Sequence, residues 1–254
     1  MRVYRNRVFY YFVLFGLSFL GCRKSDSILS DLTTPNWQNG DKCYYQIYHN
    51  NQLIGYAREI LHFDMEGNEP TYVLEILKEI DWQETYLIDS TAVCFSRKDF
   101  SPIWSYRRVE TDFDSRIVEA HYDESDIDIW TETMDGKDAK SISVKGKYFD
   151  NEMIFNLIRC VRFEKGRRYS IKTVNPFLIQ VAFGTIKFGG KATVKSVSGT
   201  FDCNKINLTF DSAKYLVFVE RSDRRRIVQI QEKSSDLTMV LIEKAGAPAK
   251  ITSR

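Results

Sequence analysis

From Lys42 onward, hydrophobic and polar residues alternate along the chain with a period of two. Ile206, Leu208 and Phe210 occupy every second position of one segment, and the shorter segment 141–144 repeats the pattern. Successive side chains of a β-strand point to opposite faces of the sheet, so such segments bury one face and leave the other in water. The alternation therefore predicts antiparallel strands.

Short clusters of Gly, Asn, Asp, Ser and Pro separate the alternating segments. These residues favour tight turns, because glycine accepts positive φ and the polar side chains hydrogen-bond the local backbone. The clusters lie at 49–51, 66–70, 135–136, 189–190, 198–199, 222–223 and 234–236. Their spacing predicts a meander of roughly ten to fourteen strands. We expect a single β-rich domain over residues 42–245 and a C-terminal tail over residues 246–254.

One segment, residues 151–162, departs from the alternation. Its apolar residues recur at intervals of three and four: Met153, Ile154, Leu157, Ile158 and Val161. This spacing predicts one amphipathic helix of about three turns, with Asp150 or Asn151 as its N-cap. Because its apolar stripe must be buried, we expect the helix to pack in the concave face of the sheet. The predicted fold class is mainly β, an antiparallel meander that forms a curved sheet or half-open β-barrel around one helix.

The first 21 residues differ in composition from the rest of the chain. Three arginines precede a mainly apolar run from residue 8 to residue 20. A basic start, a short apolar stretch and a small residue, in this order, are typical of a secretory signal peptide. The run is shorter than the about 20 apolar residues that a membrane-spanning helix needs. We therefore expect residues 1–21 to be removed.

The end of this run resembles the lipobox of bacterial lipoproteins, in the pair Gly21 and Cys22. Phe19 and Leu20 depart from the leucine and small residue that are usual there. The resemblance implies cleavage between Gly21 and Cys22 and attachment of a diacylglycerol to the Cys22 thiol. Because each buried CH₂ contributes about 0.8 kcal/mol, two or three acyl chains anchor a protein essentially permanently. An ordinary cleaved signal with a coincidental cysteine is the alternative.

A lipid anchor at Cys22 predicts a location outside the cytoplasm, in the bacterial cell envelope. The residue after Cys22 is not Asp, which favours the outer membrane over the inner one. Residues 22–41 are rich in Ser, Thr and Asn, a composition that resists folding and predicts a flexible tether. The membrane is thus the first expected partner.

The charge balance argues against nucleic acid as a partner. The chain has 36 basic and 34 acidic residues, and three of the basic ones lie in the predicted signal peptide. The remainder is close to neutral, so no overall field attracts nucleic acid. The densest basic cluster contains Arg221, Arg224, Arg225 and Arg226. It predicts a solvated hairpin turn, with an anion site as the alternative.

Four widely spaced cysteines follow Cys22. They are Cys43, Cys94, Cys160 and Cys203. Outside the cytoplasm they can form up to two disulfides, and buried free thiols are the alternative. No cluster of cysteine or histidine has the spacing of metal ligands, so we expect neither a metal nor another cofactor.

Motifs of catalysis are absent from the sequence, including the G-x-S-x-G elbow and H-E-x-x-H. Acidic residues do form pairs: Asp112 with Asp114, Glu124 with Asp126 and Asp128, and Glu75 with Glu79. Two carboxylates about 5 to 10 Å apart across a cleft can hydrolyse glycosides. Alternating acids more often mark the solvent side of a strand, so we expect no catalytic residue.

Several short motifs follow one another along the chain. They are Ile54-Gly55, Leu157-Ile158-Arg159 before a glycine-bearing turn, the strand 199–205 with sequence GTFDCNK, and the hairpin 222–228. This order resembles a family of exported bacterial proteins known as domain of unknown function 3108. The resemblance implies a curved, incompletely closed antiparallel barrel, reminiscent of the carriers that move lipoproteins between membranes. It implies no activity, because none is assigned to the family.

Aromatic residues are numerous enough to line an apolar cavity. They are Trp82, Phe95, Trp104, Tyr106, Trp130, Phe177, Phe183 and Phe188. A half-open barrel with a helix in its concavity either packs solid or leaves a pocket for an acyl chain. The leading prediction is a non-catalytic, membrane-anchored lipoprotein that binds a hydrophobic ligand or an envelope protein at its curved sheet.

Two other functions remain open at this stage. One is a structural or interaction lipoprotein with a packed core, and the other is a carboxylate-based hydrolase. An open apolar cavity favours ligand binding, a filled interior with an exposed sheet edge favours interaction, and facing carboxylates in a polar cleft favour hydrolysis.

Overall fold

The alternating segments of the chain pair edge to edge into one curved sheet. The computed structural model describes residues 26–211 and 213–242. These residues form sixteen strands, a 3-10 helix (Ile28–Asp31) and one α-helix, α1 (Ile154–Cys160). The strands are β1 (Asp26–Ser27), β2 (Asp41–His49), β3 (Gln52–Glu66), β4 (Glu69–Trp82), β5 (Thr85–Ser96), β6 (Pro102–Thr111), β7 (Ser115–Tyr122), β8 (Asp126–Thr133), β9 (Gly136–Ser143), β10 (Phe149–Asp150), β11 (Arg168–Asn175), β12 (Gln180–Ser196), β13 (Gly199–Phe210), β14 (Lys214–Glu220), β15 (Ile227–Glu232) and β16 (Leu237–Ile242).

The sheet is open, and most of its neighbouring strands are also neighbours in sequence. Its order is β1-β11-β12-β13-β14-β15-β16-β2-β3-β4-β5-β6-β7-β8-β9, and β10 also pairs with β11. Among the strands of the described residues, only β1 and β10 pair in parallel, both with β11. The predicted mainly β fold, a curved open antiparallel sheet with one helix, is confirmed. The strand number exceeds the predicted range because β1 and β10 have two residues each, too few to show an alternation.

One long-range pairing joins the two halves of the sheet. The last strand, β16, pairs antiparallel with β2, from Leu237 opposite His49 to Ile242 opposite Tyr44. The hairpins β2 to β9 lie on one side of this seam, and β11 to β16 lie on the other.

The predicted helix is present but shorter than residues 151–162. Its N-cap is Met153, which makes no side-chain capping bond. Asp150 was predicted as a possible cap, but its Oδ1 accepts the Glu152 N–H at 2.7 Å, in the turn that precedes the helix. Six of the seven residues of α1 are buried. The helix fills the concave face, where Leu157 and Ile158 pack in one cluster with Leu74, Phe95, Ile186 and Ile206.

Gly55, in the sequence motif Ile54-Gly55, is required by the close approach of β4. A Cβ atom at this position would lie 2.1 Å from the backbone oxygen of Glu79. No flexible side chain is involved, so the two strands would have to move apart to accept any other residue.

The prediction of a flexible tether over residues 22–41 requires a correction, because residues 26–40 pack along the sheet. We call residues 26–40 the strap. Ile28 and Trp37 are only 3% and 6% exposed, since both insert into the main core. The backbone N–H groups of Thr33 and Asn36 donate to the oxygens of Cys160, at 2.6 Å, and of Asp223, at 3.0 Å. Residues 22–25, with the predicted lipidation site Cys22, lie outside the described residues, as does Gly21.

The strap defines one end of the sheet. Successive turns of an antiparallel meander lie at alternating ends. The near end holds the strap, the start of β11 and the turns 67–68, 97–101, 123–125, 197–198 and 221–226. The far end holds the turns 50–51, 83–84, 112–114, 134–135, 176–179 and 233–236.

Candidate functional site

The concave face of the sheet is filled rather than hollow. Leu157, Ile158 and Phe95 are fully buried there. Two small cavities beside this core measure about 20 and about 10 Å³. A cavity of 10 to 15 Å³ holds about one water molecule. An acyl chain in the concave face would therefore have to displace α1.

The predicted cavity aromatics do not converge on one site. Phe95 is fully buried in the core, whereas Trp130 and Phe183 are 43% and 60% exposed. Phe188 stacks on Phe163, with ring centroids 6.2 Å apart, and Trp82 contacts the ring of His49.

A network of four charged side chains crosses the sheet beneath the start of α1. Arg107 on β6 binds Asp89 on β5 with two hydrogen bonds of 2.9 Å, and its Nη1 donates to Glu152 at 2.8 Å. Lys78 on β4 donates to Asp89 at 3.0 Å. Burial opposes the ionisation of Asp89, but the charges of Lys78 and Arg107 outweigh it and lower the pKa of Asp89 to about 2. Asp89 thus stays ionised, and the network holds three strands to the segment before α1.

A second buried acid, Asp150, lies beside this network and forms no ion pair with any described residue. It is fully buried and accepts hydrogen bonds from the Tyr122 hydroxyl and from the Glu152 N–H. The Tyr122 hydroxyl is also 3.1 Å from Ser105 Oγ. Burial raises the pKa of Asp150 to about 6, and the negative charge of Glu152 adds to the increase. The pKa values of Asp89 and Asp150 are therefore shifted in opposite directions.

The turn between β11 and β12 covers these carboxylates. The guanidinium groups of Arg107 and Arg116 lie 4.6 and 4.4 Å from the ring centroid of Phe177. Phe177 and Pro176 also line the smaller cavity, with Asp150 and Glu152. The hydrolase alternative requires a cleft that admits a sugar between the acids. The cavity beside Asp150 and Glu152 lies under this turn and has room for about one water, which is too small for a sugar.

A polar cleft opens at the near end between β2, β3 and α1. Glu59 and Asn156, 6% and 1% exposed, line it with Arg159. Arg159 donates to Asn156 Oδ1 at 2.7 Å and to the backbone oxygen of Arg225 at 2.9 Å. Burial raises the pKa of Glu59, whose hydrogen bond comes from the Tyr45 hydroxyl at 3.4 Å. The larger cavity lies here and has room for about one water.

The sequence interpretation missed the charged network, although the chain contains a signal for it. Leu74, Ile76 and Lys78 share one face of β4, so Lys78 takes a position that the alternation assigns to an apolar residue. On β5, Asp89 shares a face with Val93 and Phe95, so it also takes a position that the alternation assigns to an apolar residue. Opposite charges at apolar positions of neighbouring strands indicate a buried ion pair.

Most of the acidic pairs lie at the surface: Asp126 and Asp128 are on the exposed side of β8, and Asp112 and Asp114 are exposed in the turn before β7. Asp126 and Asp128 accept hydrogen bonds from Ser143 and Ser141 of the adjacent strand β9. Asp112 accepts the backbone N–H of Tyr86 at 3.1 Å. These acids position turns and an edge strand.

The four cysteines of the described domain are free thiols. Cys43, Cys94, Cys160 and Cys203 are all buried. Burial raises the pKa of Cys94 to about 11 and that of Cys160 to about 12, so neither is a thiolate at neutral pH. Of the two alternatives for these residues, disulfides or buried free thiols, the structure has buried free thiols.

The predicted basic hairpin is present at residues 221–226, and it also binds the strap. Arg225 donates to Thr33 Oγ1 at 3.0 Å and to the backbone oxygen of Arg159 at 3.3 Å. Arg226 pairs with Glu220 at 2.9 Å. Arg221 and Arg224 are exposed. Across the strap, a second basic segment, 162–168, presents exposed side chains of Arg162, Lys165 and Arg168.

The far end carries a row of exposed apolar side chains, which we call the apolar rim. It comprises Leu53, Tyr86, Phe113, Met134 and Leu178. Phe113 and Met134 are 72% and 75% exposed. The first four residues lie in or next to turns that are two strands apart, and these turns are therefore about 10 Å from one another. The described residues also contain no group of three His, Cys, Asp or Glu suited to a metal ion, and no helix long and apolar enough to cross a membrane.

The architecture is that of a β-barrel-like protein whose sheet is not closed. A crystal structure described as a beta-barrel-like protein of domain of unknown function DUF1849 from Brucella abortus is similar to it. The TM-score is 0.50 and the identity 9%, over 80% of this chain and 95% of that one. The likeness concerns the fold alone. The family "Protein of unknown function (DUF3108)" matches residues 45–245, and the chain belongs to this family. No curated protein matches the sequence.

Proposed function

We propose that the protein is a non-catalytic lipoprotein of the bacterial envelope, anchored through Cys22, whose packed β domain binds another envelope protein with the apolar rim. The observation that carries this proposal is the apolar rim itself. Of the ten large apolar side chains that are exposed among the described residues, five lie at this one end of the sheet, 37% to 75% exposed, whereas most apolar residues are buried in three clusters. Such residues are costly in water unless a partner covers them.

A packed interior supports interaction over ligand binding. The helix α1 occupies the concave face where an acyl chain would lie, and the cavities beside it accommodate single waters. The buried acids are held by cations or covered by Phe177, which supports a non-catalytic role. The anchor and the envelope location rest on the sequence at Gly21 and Cys22.

The experiment introduces charge into the rim. Phe113→Asp with Met134→Asp is compared with wild type by chemical crosslinking in intact cells that express the protein at its natural level. Burial of a Phe or Met side chain contributes about 1.5 to 3 kcal/mol, so the double change is expected to reduce a specific crosslinked adduct by at least about a hundredfold.

The matched control is Val197→Asp, which changes an equally exposed apolar residue, 76% exposed, in a near-end turn. This variant should retain the adduct. An adduct that survives the rim variant, or is lost equally in the control, contradicts the proposal.

A further inference from the structure

We infer that the domain rests on an anionic bilayer through a basic face at its near end. Five exposed side chains form this face, which we call the basic collar: Arg162, Lys165, Arg168, Arg221 and Arg224. The inference deepens the proposed function and rests on its anchor at Cys22. It adds an orientation, with the near end on the membrane and the apolar rim facing away from it.

The length of chain before the strap supports this orientation. The strap is part of the fold from Asp26, which pairs with Tyr169 in β1 and β11. Three residues, 23–25, therefore separate the predicted lipidated cysteine from the folded domain. The four steps of the chain from Cys22 to Asp26 span at most about 14 Å. An acylated Cys22 must consequently hold the near end close to the bilayer surface.

The collar surrounds the point where the strap begins. Arg168 directly precedes Tyr169, the partner of Asp26. The Arg162 N–H donates to the backbone oxygen of Asp31 at 2.8 Å. On the other side of the strap, the Arg225 guanidinium binds Thr33, which fixes the hairpin that carries Arg221 and Arg224.

The charge of this face is complementary to an anionic membrane. Segments 161–168 and 220–226 together contain eight basic and three acidic residues, whereas the whole chain is nearly balanced. Arg167 and Arg226 are neutralised by Asp31 and Glu220. The collar residues form no ion pair within the described part of the chain. The far-end turns carry a net negative charge, since Glu84, Asp112, Asp114, Asp135 and Asp236 outnumber the single cation Lys233 among the described residues of these turns.

The test measures binding of unlipidated protein to vesicles. Full-length mature chain with Cys22→Ser is sedimented at low salt with vesicles of phosphatidylcholine, or of an equal mixture of phosphatidylcholine and phosphatidylglycerol. Binding to the anionic vesicles is expected, with loss on neutral vesicles or at high salt. Each basic residue near such a surface strengthens binding about fivefold. Reversal to Glu of Arg162, Arg168 and Arg224 should therefore weaken binding by at least about a hundredfold.

The control reverses three exposed lysines away from the near end: Lys137, Lys140 and Lys233. This control changes the net charge by the same amount as the collar variant. Its loss of vesicle binding should be at least tenfold smaller than that of the collar variant. Equal effects of the two variants, or no binding of the parent protein to anionic vesicles, overturn the inference. Incorporation of labelled fatty acid into the protein with native Cys22 tests the anchor separately. Failure of labelling refutes the proposed lipoprotein, whatever the vesicles show.

Discussion

The carboxyl group of Asp150 is expected to make the protein less stable as the pH rises from about 4 to 6. This side chain is fully buried, and its hydrogen bonds come from the Tyr122 hydroxyl and from the Glu152 N–H. No cation is paired with it among the described residues, in contrast to Asp89 in the adjacent network. Burial therefore raises its pKa from 3.8 to about 6.

The sign of the effect follows from proton binding. Between pH 3.8 and 6, folded protein holds a proton on Asp150 that unfolded protein has released. Stability therefore falls as pH rises through this window, because the unfolded state binds fewer protons. One pKa unit corresponds to about 1.4 kcal/mol, so ionised Asp150 costs about 3 kcal/mol above pH 6. Asp89 acts at lower pH, where the stability gained from its depressed pKa is lost as pH falls from 3.8 to about 2.

Asp150→Asn isolates this contribution. Asn cannot ionise, yet its Oδ1 can still accept the Glu152 N–H. The free energy of unfolding in urea is measured for both proteins from pH 4 to pH 8. The difference, variant minus wild type, should increase by about 3 kcal/mol from pH 4 to pH 7 and then remain constant. Asp135→Asn, at an exposed turn, controls for the loss of a carboxylate. Parallel pH profiles for wild type and Asp150→Asn would refute the reasoning.

Two further substitutions test how the sheet is held together. Arg107→Met leaves Asp89 and Glu152 as buried charges without their main partner, so it should reduce the free energy of unfolding by about 3 to 5 kcal/mol. Arg108→Met, on the exposed side of the same strand, should cost less than about 1 kcal/mol, and equal losses would contradict the ion-pair argument. Gly55→Ala should cost at least about 2 kcal/mol, because its Cβ would collide with the backbone of β4. Unchanged thermal unfolding of this variant would show that the two strands can separate freely.

Local sequence determines the strands and the helix of this protein to a large extent. The predicted inward positions Ile206, Leu208 and Phe210 are all buried, and the spacing of Leu157 and Ile158 gave the helix. These elements could be predicted because their periodicity arises within each segment. The short strands β1 and β10 could not, since each is defined by its pairing with β11.

The strap escaped prediction for a different physical reason. The strap is mainly polar, with only Ile28, Leu29, Leu32 and Trp37 as large apolar residues. The burial of Ile28 and Trp37 depends on surfaces supplied by distant residues. The Trp37 ring packs edge-on against Tyr72 at 5.2 Å and lies 5.1 Å from the Arg159 guanidinium. Composition alone therefore predicted a free segment where tertiary contacts produce an ordered one. The basic cluster was predicted as a hairpin, but its contacts with the strap depend on the same tertiary arrangement.

The pairing of β16 with β2 has a consequence for the order in which the protein can assemble. Every other antiparallel neighbour is formed by a hairpin, whereas Tyr44 and Ile242 are separated by nearly the whole domain. Closing such a long loop is entropically expensive and slow. A chain that emerges gradually, from a ribosome or through a membrane pore, can form two half-sheets early. Their union must await β16, and a truncation that removes this strand would leave the two halves without the pairing that joins them.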